Sequence, residues 1–211
     1  MKKIVLSLFA ACMLSGVSAQ SLSPIQLKAP EKKAGLSVME TLANRHSTRQ
    51  FSNKELTLQE LSNLLWAANG INRPEKGMRT APSAMNAQEV DVYVCMKEGA
   101  YFYDAKSNQL KPVIQEDLRG LVAGKQDFVK SAPVVLLLVS DLSKLPGGNS
   151  EHSKLMAAVD VGIVSQNISI ACSGLGLITV PRGSMDKDAL AQKLKLKDTQ
   201  MLLMNSPVGK E

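Results

Sequence analysis

Histidine, cysteine and aromatic side chains are scarce in this chain of 211 residues, which holds 2 His, 3 Cys, 1 Trp, 3 Tyr and 4 Phe. The two histidines, His46 and His152, stand apart, with no metal-spaced carboxylate near them and no serine-histidine-aspartate order with supporting glycines. A zinc-type ligand set and a hydrolytic triad are therefore excluded as the source of chemistry. Cys12, Cys95 and Cys172 have the spacing of neither a disulfide framework nor a metal site. Cys95 and Cys172 are expected to be buried free thiols, a bridge between them being the alternative. Lysine and arginine exceed the acids by 25 to 19, for a net charge of +6, yet no basic block interleaves with aromatics, so nucleic acid is not an expected partner. There is no Gly-x-Gly-x-x-Gly turn to make a separate dinucleotide site. The apolar run from Ile4 to Val17 is too short to be a permanent membrane span.

That run has another reading. Lys2 and Lys3 precede it and the small residues Val17-Ser18-Ala19 follow it, the pattern of a secretory leader over residues 1–19. With no twin arginine, the expected route is general secretion, and the expected compartment is the periplasm. Acylation at Cys12 after Phe9-Ala10-Ala11 is the weaker alternative, because the apolar run continues past it. Residues 20–211 then make one domain.

Within that domain, residues 20–33 read as an extended arm with Pro24 and Pro30. Ser37 with Glu40, and Thr57 with Glu60, are capping boxes that open helices running to about Asn44 and Gly70. Leu36, Met39 and Leu42 mark an apolar face on the first; Leu58, Leu61, Leu64, Leu65 and Ala68 mark one on the second. Residues 69–79 read as a polar loop. Val90 to Met96 alternates as a strand, a hairpin follows around residues 105–108, and residues 133–139 form an unbroken apolar strand. The longest helix is expected from about Lys154 to Ser173, stopped by Gly174, with a stripe of Leu155, Ala158, Val161, Val164, Ile168 and Cys172. A short strand at 177–180, a charged helix at 186–194 and a last strand at 201–204 complete an α+β mixture.

Chemistry concentrates in Arg45-His46-Ser47-Thr48-Arg49, which puts two guanidinium forks, an imidazole and two hydroxyls into five positions. In an extended segment Arg45, Ser47 and Arg49 share one side and can converge on an anion such as phosphate. A solvated basic loop is the plainer reading of this stretch by itself, as a helix N-cap is of Ser83.

Three stretches in order carry a resemblance. Arg45 to Phe51 resembles the phosphate-binding motif that opens nitroreductase-like FMN flavoproteins. Pro82-Ser83-Ala84-Met85-Asn86-Ala87-Gln88 resembles their second motif, and Gly174-Leu175-Gly176-Leu177, after a helix carrying Gln166-Asn167, resembles their third. The resemblance implies a central, mostly antiparallel sheet flanked by helices, FMN as cofactor, and a homodimer with the flavin between subunits. By position, Arg45, His46, Ser47 and Arg49 would hold the phosphate and ribityl chain, and Pro82, Ser83, Ala84 and Met85 would shape the ring pocket. Asn86 would bond the ribityl or pyrimidine side. Pro181-Arg182-Gly183 falls where the family sets a backbone N–H near the reactive flavin nitrogen. The usual longer basic tail is missing, which leaves Lys210 as the candidate to complete the phosphate site, against an exposed terminal lysine.

The activity so implied is hydride or electron transfer between a reduced donor, NAD(P)H or a quinol, and a small organic acceptor of nitroaromatic or quinone type. No residue is expected to be catalytic in its own right, because the flavin carries the reaction. Leu65-Trp66-Ala67-Ala68 and residues 79–84 also resemble the branch of flavin oxidases acting on peptide azoline rings. An envelope electron carrier without turnover is the reading from a different class, since NAD(P)H is a cytoplasmic reductant.

Overall fold

The computed structural model describes residues 21–211; the expected leader and Cys12 lie outside the described residues. The arm supplies a short strand, β1 (Ile25–Gln26). Both capping boxes form reciprocally and open α1 (Val38–Asn44) and α2 (Leu58–Asn69), each cap hydroxyl accepting an N–H while the glutamate accepts the cap's own N–H. Then come β2 (Ile71–Arg73) and β3 (Met78–Arg79), followed by β4 (Val90–Met96), β5 (Gly99–Asp104), β6 (Gln109–Ile114) and α3 (Arg119–Ala123). The chain finishes with β7 (Val134–Asp141), α4 (Glu151–Gly174), β8 (Ile178–Thr179), α5 (Lys187–Leu194) and β9 (Gln200–Gly209).

Seven strands form one sheet in the order β1-β6-β5-β4-β7-β9-β8, every neighbouring pair antiparallel. The expected helix-flanked antiparallel sheet is therefore present. β7 shows why its sequence is apolar without alternation. Val134, Leu136 and Leu138 face the core layer that includes α2 and α4, while Val135, Leu137 and Val139 face the layer with α3 and α5. A strand covered on both faces has no polar side.

Several boundaries differ from expectation. The segment after α2 is a two-stranded hairpin, β2 with β3, rather than a loop. Gly77 turns it at φ 61°, Trp66 Nε1 donates to the Ile71 carbonyl and Arg79 Nη1 to that of Asn69. α4 starts earlier than Lys154 because Ser150 caps it, accepting from the Ser153 N–H. It also runs through Gly174, and the left-handed residue that ends it is Gly176, with Leu177 N–H donating to the Cys172 carbonyl. β9 continues five residues past Met204, since β7 and β8 flank it and the polar Asn205 and Ser206 are fully buried there.

The apolar stripes divide between inside and outside. On α4, Val161, Val164, Ile168 and Cys172 are buried, but Leu155 and Ala158 are exposed, as is Val159. On and before α1, Leu36, Val38, Met39 and Leu42 are all exposed. α4 is long and apolar enough by composition to cross a membrane, yet it is the core helix, packed on α2 and the sheet. Cys95 and Cys172 are free, buried thiols, as expected, and burial pushes both upward in pKa, Cys95 to about 12.

Candidate flavin site

The basic segment leaves α1 at Arg45, whose N–H closes the helix on the Thr41 carbonyl at 2.9 Å. Two backbone bonds then lash it to the sheet. Thr48 N–H donates to the Thr179 carbonyl of β8 at 3.0 Å, and Ser52 N–H to the Lys210 carbonyl beyond β9 at 2.8 Å. His46 Nδ1 donates to the Asn44 carbonyl at 2.7 Å, which fixes its ring. Asn44, His46, Thr48, Ser169, Ser173 and Thr179 are among the residues lining a cavity of about 220 Å³ between this segment, the end of α4 and β8. Arg45, Ser47 and Arg49 are the alternate residues. The guanidinium groups of Arg45 and Arg49 have no hydrogen-bond or ion-pair partner among the described residues. Two unspent forks with a hydroxyl between them are what a phosphate-bearing ligand needs.

The second stretch is a tight turn. Ala84 N–H donates to Asp160 Oδ2 at 2.7 Å, and Ser83 Oγ accepts from the Gln88 N–H at 2.9 Å rather than capping a helix. Met85, Asn86 and Gln88 have φ of 51°, 55° and 50°, a left-handed backbone that costs side-chain-bearing residues about 1 kcal/mol or more each. Met85 is thereby thrust outward, 71% exposed, and Pro82 and Asn86 are exposed as well.

These two stretches touch α4 at different levels. Asp160 holds the second and Ser169 to Ser173 border the first, which along α4 is a separation of roughly 14–20 Å. The Pro181-Arg182-Gly183 loop differs from expectation at one residue. Arg182 N–H is committed to the Asn205 carbonyl at 2.8 Å, and Pro181 has no N–H to offer. The Arg182 side chain is also spent: it donates to Gln126, Asn205 and the Val122 and Ala123 carbonyls, and its guanidinium lies over Phe128. Arg182 is thus a buried strut that pins the loop to β9 and α3, and of the three residues only Gly183 can present an N–H outward. Lys210 is likewise engaged, its Nζ 2.9 Å from Glu60 Oε2. Lys210→Ala is therefore expected to change stability and flavin affinity by less than about 1 kcal/mol, as for a half-buried surface ion pair, measurable by thermal melting and flavin titration.

The match to the nitroreductase family extends over residues 42–210, from the end of α1 to beyond β9. The chain belongs to the nitroreductase family. It is 31% identical over 181 residues to a nitroreductase-like protein of Methanocaldococcus jannaschii, covering 82% of this chain and 90% of that one. The crystal structure of a nitroreductase-like protein from Ralstonia eutropha superposes with a TM-score of 0.84 at 34% identity, over 90% of both chains. The FMN reductase (NAD(P)H) of Bacillus subtilis is 26% identical over 160 residues, 70% of this chain and 54% of that protein. As a member of the family this protein is a flavin-dependent oxidoreductase.

Two carboxylates beside the second stretch gave no motif signal. Glu89 is fully buried and Asp160 is 4% exposed. Asp160 had a trace in sequence, an acid placed four residues before Val164 on the buried face of α4. Burial first, and the neighbouring Asp160 after it, push Glu89 up to about 7 against the opposing pull of its own backbone N–H and of Lys144.

Proposed function

We propose that this nitroreductase-family protein binds FMN and moves hydride or electrons from a reduced donor to a small quinone-like or nitroaromatic acceptor in alternating half-reactions. The observation that carries the FMN reading is the pair of unpartnered guanidinium groups, Arg45 and Arg49, on a segment that two backbone bonds hold against β8 and β9. Riboflavin lacks the phosphate such a pair would grip. The relative in Bacillus subtilis is an FMN reductase, which agrees with FMN as the cofactor. When bound, FMN supplies the electron and hydride carrier, which no side chain of this chain can replace. Arg45, Ser47 and Arg49 hold the phosphate and ribityl end; Ala84, Met85 and Asn86 form a wall for the ring; Gly183 offers the N–H that Pro181 and Arg182 cannot.

A homodimer that completes the site is the assembly this reading takes, since exposed apolar side chains need a cover. Leu36, Val38, Met39, Leu42, Leu155 and Val159 supply the exposed apolar surface for it. Sedimentation should give a dimer with more than roughly 2,000 Å² buried, and an FMN-loaded monomer would overturn this part of the reading.

The leader pattern at residues 1–19 makes the periplasm the proposed compartment, where a quinol is a more accessible donor than NADPH. Rapid mixing of the FMN-loaded protein with each donor tests this. Faster bleaching of the flavin by a quinol supports the assignment, and fast saturable bleaching by micromolar NADPH returns the donor to nicotinamide.

A further inference from the structure

Apart from Glu89's own backbone N–H, no protein donor reaches the two oxygens of its fully buried carboxyl, although Lys144 sits near. Its carboxyl instead abuts the carboxyl of Asp160, and that residue is 4% exposed. Two bare carboxylates in contact at such a site would repel strongly, so the arrangement holds only if a proton lies between them. Asp160 in turn accepts the Ala84 N–H at 2.7 Å, at the head of the turn whose backbone is left-handed at Met85, Asn86 and Gln88. Strained backbone persists only where its surroundings over-determine it. The restraints from outside the turn's own backbone include the Asp160 bond to Ala84 N–H, the Ser83 Oγ bond to Gln88 N–H, and the Gln88 side chain, which accepts from Arg79 Nε and donates to the Gly77 carbonyl; of these, only the Asp160 bond comes from a carboxylate.

We propose that Glu89 and Asp160 share one proton and act as the positioning pair for the Ala84–Gln88 turn, so that flavin affinity is set by whether that proton is present. The proposal rests on the reading that this turn walls the flavin. Glu89 donates its acid proton toward Asp160, and Asp160 accepts from the Ala84 N–H. Loss of the proton places two negative charges in contact, and the turn, tied to Asp160 by one hydrogen bond, relaxes away from its left-handed backbone.

The charges facing the pair come from three other elements. Lys144, on the turn after β7, reaches the Gln88 carbonyl at 3.4 Å and Asp91 at 3.3 Å and opposes the upward push on Glu89. Asp141, at the end of β7, has its N–H on the Glu89 carbonyl and its carboxylate on Ser143 and Thr199, turned away from the pair. Arg79 on β3 is held by Gln88 and Asn69, and α2 offers only the neutral Asn69, bonded to the Val90 carbonyl. None of these replaces the proton. Glu89 is raised in the folded protein, so its contribution is fully present below the usual carboxylate range and is lost as pH rises through about 7.

The test compares wild type with Glu89→Gln, which keeps a donor toward Asp160 at every pH, and with Asp160→Asn. FMN titration of the purified dimer from pH 6 to 9 should show wild-type affinity falling on the order of tenfold per pH unit above neutrality, and Glu89→Gln nearly flat. Flavin-free protein carries a separate readout. Its melting temperature should fall between about pH 5 and 7 in wild type, level off above that, and show no such fall in Glu89→Gln, and the infrared band of a protonated carboxylic acid present in wild type at pH 6 should be missing from that variant. If the flavin-free signals follow the prediction but FMN affinity is flat with pH, the turn does not wall the flavin and the positioning role is overturned. If Glu89→Gln tracks wild type in melting, or the infrared band survives in it, the shared proton is overturned. Asp160→Asn leaves Glu89 buried but removes the neighbouring charge, so it should shift the fall in affinity to a different pH, and an unchanged midpoint there rules the pair out.

Discussion

Replacing Arg45 and Arg49 together by alanine is expected to weaken FMN binding by about 3–5 kcal/mol, from roughly 1.5–3 for each charge-assisted contact with some non-additivity because both grip one phosphate. The size follows from their state in the folded chain. Neither guanidinium has a partner among the described residues, so neither loses a contact when the ligand binds. The segment between them is already fixed, by Thr48 N–H on Thr179 and Ser52 N–H on Lys210, so little ordering cost offsets the gain. The same absence of partners means the double variant should fold as well as wild type. Fluorescence titration with FMN and, in parallel, with riboflavin is the measurement. Riboflavin has no phosphate, so its affinity should barely move. Equal losses for both ligands would show that the arginines act on something other than the phosphate.

Leu136→Ala and Leu137→Ala should each destabilise the fold by about 2–5 kcal/mol, although the two side chains point to opposite faces of β7. In a sheet with one wet face only one of two neighbours would matter. Here both are fully buried, Leu136 in the layer with α2 and α4 and Leu137 in the layer with α3 and α5. Neither core can collapse to fill the lost volume, because β4 and β9 hold β7 in register on both sides. Denaturant unfolding of the two variants decides it, and a loss below about 1 kcal/mol at either position would mean that face is not closed.

The sequence by itself determined the elements whose signals are local. Ser37 with Glu40 and Thr57 with Glu60 announced two helix starts, because a capping box closes within four residues. The alternation of β4 and the unbroken apolar run of β7 announced strands, since side-chain period depends only on backbone geometry. The three short stretches in order announced the family. What tertiary structure decided was partnership. Nothing local distinguishes an arginine left free, like Arg49, from one spent on four acceptors, like Arg182; the difference lies in Gln126 and Asn205, brought to Arg182 across 56 and 23 positions. The apolar stripe of α4 divided between core and surface because α2 and the sheet cover only one side of it. β9 outran its expected end because buried Asn205 and Ser206 pair with β7 and Val208 and Gly209 pair with β8. Glu89 and Asp160 lie 71 positions apart in sequence, and only the packing of α4 against the end of β4 put one carboxyl against the other and the second beneath the Ala84 N–H. Contacts of that kind depend on which long-range faces meet, and periodicity carries no record of it.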